Sequence, residues 1–221
     1  VRESAENVGA SDVYLIEESM AAAIGVGIDV SLPVGNMIVD IGGGTTEIAV
    51  ISLNGICSNE TIRVAGDSQT QAIVDWFHNA HNLNIGDRTA EDIKCKAGSA
   101  IAFKDADNID VKGQDIISGI PRTIKISTND IAKALNSTVF QIYEAIKRAL
   151  DRMPPEHSAD IIDHGIILTG GGALLQGLDE HIRQKTGLPV NVAEDPLLSV
   201  VKGTGMVLED IKKYKEVLIS P

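Results

Sequence analysis

The chain has 221 residues, 43% of them hydrophobic and 23% charged, with a formal net charge of −12. That is length and apolar content for one large or two small cored domains, and the acidic balance, with no Lys/Arg stripe, argues against a nucleic-acid partner. Aromatics are only 3%, so the core has to be built from Ile, Val, Leu and Ala, as in parallel α/β layers.

In chain order, Val1 to Ala10 has no initiator Met and reads as the last turns of a helix closing at Gly9, so the expectation is a fragment lacking an N-terminal part. Val13 to Ile16 reads as a short buried strand, and Glu17 to Gly27 as an Ala-rich helix whose small side chains suit very close packing. Residues 28–35 form a linker. Strands follow at Asn36 to Asp40 and Thr45 to Ser52. Asn54-Gly55 signals a type I′ hairpin, leading to a third strand near Ile56 to Ser58 and a fourth at Thr61 to Val64. This is a meander and not the βαβ unit of a dinucleotide-binding fold. Helices are expected from Ser68 to Asn82 and from Thr89 to Ala100, then strands across 105–126. Ser127-Thr128 caps a long helix to Leu150 with apolar residues at helical spacing. A strand at Gly165 to Leu168, a helix from Leu174 to Lys185, an edge strand ending at Val192 and a helix from Pro196 to Lys213 complete the reading. Cys57 and Cys95 lack any CxxC spacing and read as free thiols of a reducing cytoplasm. No apolar run reaches the ~18–20 residues that span a bilayer.

Two glycine triplets carry most of the functional signal. The first is Val39-Asp40-Ile41-Gly42-Gly43-Gly44-Thr45-Thr46, and the second is Leu168-Thr169-Gly170-Gly171-Gly172-Ala173-Leu174. Successive glycines let backbone N–H groups approach an anion unobstructed and permit positive φ. An acidic residue just before such a turn can hold a metal ion through water. The pair therefore points to a nucleotide phosphate site, with Asp40 at a strand's carboxyl end, where open sheets place ligands. Each residue also has a plainer reading: Asp40 as a turn-stabilising carboxylate, Thr45 and Thr46 as strand formers. Glu18, a candidate for polarising water, is also favoured by the helix dipole. Glu91 and Lys94 read as an exposed ion pair, and His78 and His81 as a solvated helix face. No EF-hand, Walker motif or nucleophile elbow is present.

Together these stretches, with Glu17-Glu18-Ser19-Met20-Ala21-Ala22, Gly86-Asp87-Arg88-Thr89-Ala90-Glu91-Asp92-Ile93-Lys94 and Gly119-Ile120-Pro121-Arg122, resemble the actin–Hsp70–sugar kinase ATPase superfamily, and within it the bacterial actins of the MreB family. The resemblance implies an α/β actin-like ATPase fold, a ribonuclease-H-like sheet flanked by helices, with a smaller α+β subdomain inserted and the N-terminal half of the fold missing. Residues 1–32 would be the remnant of the first domain and 33–203 the second, with an outer subdomain at about 67–126. A final helix in 204–221 would return towards the first domain. It further implies ATP/ADP with Mg²⁺ held through water at Asp40, and Glu18 positioning the attacking water. Gly42, Gly43, Gly44, Thr45 and Thr46 would form a phosphate loop. Glu91 and Lys94 would flank the adenosine, and Gly170, Gly171, Gly172, Ala173 and Leu174 would form the adenosine loop. The implied biology is a homopolymer filament at the cytoplasmic face of the cell membrane, working with cell-wall elongation proteins and setting cell shape. Membrane contact would come only through the missing N-terminal part. The parent would be an ATPase and the isolated chain a poor one. Ser19 and Lys96 depart from the family pattern, where Pro and Glu are usual. A small-molecule kinase of the superfamily, or a magnetosome- or plasmid-type actin scaffold, is the alternative.

Overall fold

The computed structural model describes residues 2–219; Val1, Ser220 and Pro221, which fall in the first and last expected segments, lie outside the described residues. Helix α1 (Arg2–Asn7) leads to β1 (Leu15–Ile16) and α2 (Glu18–Gly25). A meander follows: β2 (Asn36–Ile41), β3 (Thr46–Ser52) and β4 (Gly55–Ile62). Helix α3 (Gly66–His81), β5 (Leu83–Asn84), α4 (Asp87–Ala97), β6 (Asn108–Asp115) and β7 (Pro121–Ser127) come next. The long α5 (Thr128–Arg152) and short α6 (Ser158–His164) return the chain to β8 (Ile166–Thr169), α7 (Leu178–Thr186) and β9 (Val190–Val192). Helix α8 (Ser199–Glu209) and β10 (Leu218–Ile219) close it.

The central sheet has five strands in the order β4-β3-β2-β8-β9. β2 pairs antiparallel with β3 but parallel with β8, in the register Asp40↔Thr169, and β8 pairs parallel with β9. Met37 to Ile41 and Ile48 to Ser52 are buried residue by residue, as expected of central strands covered on both faces. One face packs on α3, α5 and α7 through Ile73, Phe77, Leu135, Ile142, Ile146 and Ile182. The other carries α2 and α8, where Ala22, Ala23 and Ile24 meet Ile38, Ala49 and Ile51. A separate sheet in the order β5-β6-β7 joins the first of these cores through Leu83, Val111 and Ile126. Helix α5 is held at its start by a complete capping box of Ser127 and Asp130, which satisfies two otherwise unbonded N–H groups.

Several boundaries differ from the sequence expectation for physical reasons. The third and fourth strands are one strand, β4, whose bulge against Val50 and Ile51 absorbs the change of register. The hairpin turn is Leu53-Asn54, at φ 50° and 60°, one residue before the expected Asn54-Gly55. Ser52 pairs with Gly55, so the two residues between them take the positive φ that a type I′ turn demands. The last helix ends at Glu209 and not at Lys213, because the chain turns back so that β10 can pair with β1. His81 does not face solvent freely: its ring lies 4.8 Å from that of Trp76.

Helices α2 and α8 touch backbone to backbone. A Cβ on Gly203 would fall 1.8 Å from the Ala21 carbonyl oxygen, and one on Gly25 would fall 1.8 Å from that of Ser199. Small residues are therefore a steric requirement of this crossing. Gly203→Ala is expected to destabilise the fold by about 3 kcal/mol through overpacking, even though Ala is the better helix former. Urea unfolding of the two chains measures it.

A cleft where two glycine turns meet

β2 and β8 are adjacent and parallel, so their carboxyl ends open on the same side of the sheet, the side on which open α/β sheets receive ligands. Both glycine triplets leave from there. A cleft of about 660 Å³ lies over them, lined by Glu18, Asp40, Gly42, Gly43, Gly66, Asp67, Glu91, Lys94, Lys96, Gly170, Gly171, Gly172 and Leu174, among others.

The first triplet is a tight hairpin. The Gly42 N–H donates to the Thr45 carbonyl at 2.9 Å, while the Gly42 and Gly43 carbonyls accept from the N–H groups of Gly66 and Asp67 at 3.0 and 2.8 Å. The turn is thus tied down at the start of α3. The N–H groups of Gly43 and Gly44 have no backbone acceptor among the described residues and sit on exposed backbone. None of these three glycines adopts positive φ, contrary to one half of the expectation. Their use is an uncovered backbone and not an unusual one. Thr46 is fully buried and donates its hydroxyl to the Val64 carbonyl at 2.7 Å, so that hydroxyl faces the strand interior. Thr45 is half-buried beside it.

The second triplet does require glycine. Gly170 has φ 79°, and a Cβ there would lie 2.3 Å from Asp40 Oδ1. One on Gly172 would lie 2.2 Å from Ile41 Cγ2. The Gly170 N–H donates to the Pro196 carbonyl at 2.9 Å. Gly171 to Leu174 form a single 3₁₀ turn, in which Ala173 is buried and Leu174 is exposed. The two triplets therefore meet at Asp40.

Asp40 is only 6% exposed. Burial, and then the nearby carboxylates of Glu18 and Glu47, push its pKa up to about 6. Glu47 is pushed up as well, by burial first and then by Glu18, although Ser19 Oγ donates to it at 3.1 Å. Ser19 thus uses its hydroxyl to pin a neighbouring acid. Glu18 is the first residue of α2 and projects from an exposed position.

Glu91 and Lys94 come together on α4 as expected, and with them Thr70 of α3. Lys94 Nζ lies 2.7 Å from Glu91 Oε2, and donates to the Gly66 carbonyl at 2.9 Å and to Thr70 Oγ1 at 3.0 Å. Burial raises the Glu91 pKa, but hydrogen bonds from Lys94 and Thr70 outweigh it and hold the carboxyl below its ordinary value.

Gly66, Asp67 and Gln69 in the first turn of α3 line the cleft without having been singled out. Gly66 and Asp67 directly precede the helix expected from Ser68, and nothing local in the sequence shows that this helix start meets the first triplet. Gln69 is 1% exposed and continues the buried stripe of Ile73 and Phe77. Its Nε2 has no hydrogen-bond partner among the described residues.

Two stability outcomes follow. Gln69→Leu removes a buried unpaired donor and is expected to stabilise the chain by about 1 kcal/mol, read by urea unfolding. The Asp40 pKa is about 6 in the fold against 3.8 ordinarily, so the folded state holds this proton more tightly than the unfolded chain. Its contribution to stability is present below about pH 4 and is lost as pH rises through 6. Asp40→Asn should then raise the melting temperature at pH 7, the gain shrinking to nothing near pH 4 in parallel melts.

No described helix is long and apolar enough to cross a membrane. Solved structures share this architecture. MreB5 of Spiroplasma citri bound to AMPPNP superposes with a TM-score of 0.91 at 37% identity, covering 97% of this chain and 66% of that one. Its ADP-bound form superposes at 0.92. The MamK filament, at 20% identity and a TM-score of 0.76, shares the fold over 96% of this chain and 64% of its own. Among curated relatives, the cell shape-determining protein Mbl of Bacillus subtilis is 47% identical over 215 residues, 96% of this chain and 64% of that protein. The chain thus spans less than two thirds of that relative's length. The family model for MreB/Mbl protein matches residues 1–216, and the chain, an actin-like α/β structure with its glycine turns meeting at one acid, belongs to the MreB/Mbl family.

Proposed function

We propose that this chain forms one wall of an ATP/ADP-binding cleft in a filament-forming bacterial actin of the cell-shape machinery. The observation that carries the reading is the meeting of both glycine turns at Asp40 on the cleft floor. The exposed N–H groups of Gly43 and Gly44 cradle phosphate oxygens, and the N-terminus of α3 adds its dipole at Gly66 and Asp67. Gly171, Gly172 and Leu174 border the nucleoside. Residues 33–203 act as one domain carrying the outer sheet within 67–126. Helices α2 and α8 form the crossing to the other domain that residues 1–32 and 204–221 enter.

A divalent cation fits the residues present. Asp40 is crowded by Glu18 and Glu47 and has no cationic partner among the described residues, and Mg²⁺ is commonly held by one or two carboxylates with water and phosphate completing its shell. Asp40 would hold it, and the ion would neutralise charge on the transferred phosphoryl group. Glu18, exposed at the cleft edge, orients a water molecule. Ser19 and Glu47 keep the start of α2 in place beside it. Filament assembly, membrane-side location and cell-wall partners belong to this proposal through the family, whose members include proteins that determine cell shape.

The test is calorimetric titration of the purified chain with ADP and ATP, with and without Mg²⁺, alongside pelleting and electron microscopy. Binding strengthened by Mg²⁺, with that increment lost in Asp40→Ala, supports the reading. Pellets that need ATP extend it to assembly. A chain that binds neither nucleotide overturns it.

A further inference from the structure

Thr70 is half-buried one turn into α3 and is not among the residues that line the cleft. Its hydroxyl nevertheless sits at the centre of the polar contacts between α3 and α4. A hydroxyl has one proton to give and lone pairs with which to accept. Lys94 Nζ donates to Thr70 Oγ1 at 3.0 Å, and the Thr70 hydroxyl faces Glu91 Oε2 at 2.5 Å, nearer than the Gly66 carbonyl at 3.0 Å. Lys94 Nζ closes the ring on the same Glu91 oxygen at 2.7 Å. The three N–H donors of the ammonium are thus matched by Thr70, Glu91 and the Gly66 carbonyl. Only 12% of the Lys94 side chain is exposed, so this is a joint of charge-assisted bonds and not a solvated surface pair.

The joint reaches both glycine turns. On one side stands Gly66, whose N–H donates to the Gly42 carbonyl of the first triplet at 3.0 Å while its own carbonyl accepts from Lys94 at 2.9 Å. A Cβ there would fall 3.2 Å from the Gly42 carbonyl oxygen and 3.4 Å from Lys94 Nζ. Gly66 is therefore held between the turn and the lysine. On the other side, α4 runs on to Ser99 and Ala100. Ser99 Oγ and the Ala100 N–H both donate to the Gln176 carbonyl, at 3.0 and 2.8 Å, just past the second triplet. Helix α4 is a brace from the first turn to the loop that follows the second, and Thr70 fastens its near end.

We propose that Thr70 is a positioning residue for a nucleotide in this cleft, acting through Lys94 and Glu91 to fix the phosphate-binding turn relative to the loop that borders the nucleoside. The proposal rests on the nucleotide reading above. A ligand that spans both turns gains affinity when their separation is set in advance, whereas a ligand that touches one turn does not depend on that separation. A hydroxyl that served the fold alone would change the melting temperature without separating the two kinds of ligand.

The experiment measures ADP binding by calorimetry, and adenosine binding by ligand-detected NMR, to the unaltered chain, Thr70→Val and Thr70→Ser. Valine keeps the shape and removes the hydroxyl, and serine keeps the hydroxyl. ADP affinity is expected to fall about tenfold in Thr70→Val, the worth of a hydrogen bond to a charged group, and to return in Thr70→Ser. Adenosine should bind all three chains alike. ADP affinity unaltered in Thr70→Val, no recovery in Thr70→Ser, or ADP and adenosine weakened alike overturns the assignment while leaving the nucleotide reading intact. Failure of the unaltered chain to bind ADP overturns both.

Discussion

The parallel pairing of β2 with β8 is the constraint on which the rest depends. Two segments some 130 residues apart in the chain are locked in the register Asp40↔Thr169, so that two turns leave the sheet side by side. Once they do, sterics dictate composition. Gly170 faces a carboxylate oxygen at a distance where no Cβ fits, and Gly172 faces the side chain of Ile41. Helix α8 then follows from the same corner. Thr169 donates its hydroxyl to the Pro196 carbonyl at 3.1 Å and bonds Ser199 Oγ at 2.5 Å, setting where α8 begins and hence where Gly203 must cross Ala21.

The two triplets look alike in sequence but obey different rules. In the first, a Cβ would meet nothing within 4 Å at Gly44, and only ordinary contacts at Gly42 and Gly43. The fold has room for side chains there. In the second, Gly170 and Gly172 are demanded from inside, by Asp40 and Ile41. One turn is bare without steric need, and the other is kept small so that Asp40 can stay where it is.

Much of this was legible in the sequence because it is written locally. Strand-like apolar runs, capping residues and helical spacing located the meander, α3, α5 and the glycine turns to within a few residues, and the resemblance assembled them into one cleft. What was not legible depends on partners distant in the chain. The end of α8 is decided by β10 pairing with β1, the union of two expected strands by a bulge opposite Ile51, and the direction of the Thr46 hydroxyl by Val64. Lys94 shows the same limit. Its spacing from Glu91 reads as a surface pair, whereas Thr70 and Gly66 from another helix occupy its remaining donors.

The electrostatics of the cleft follow from that crowding. Asp40 is buried beside two further acids and is held near neutrality in pKa terms, at about 6. A buried carboxylate whose neighbours repel its charge is costly to the fold. Lys94 cannot relieve it, since its own charge is spent on Glu91. The acids around Asp40 thus make its ionised form costly to the fold. That cost falls at the start of α2, which carries both Glu18 and the Ser19 hydroxyl bonded to Glu47. Because α2 lies backbone to backbone on α8, the place of Glu18 at the start of α2 is set by that crossing as well as by its own helix.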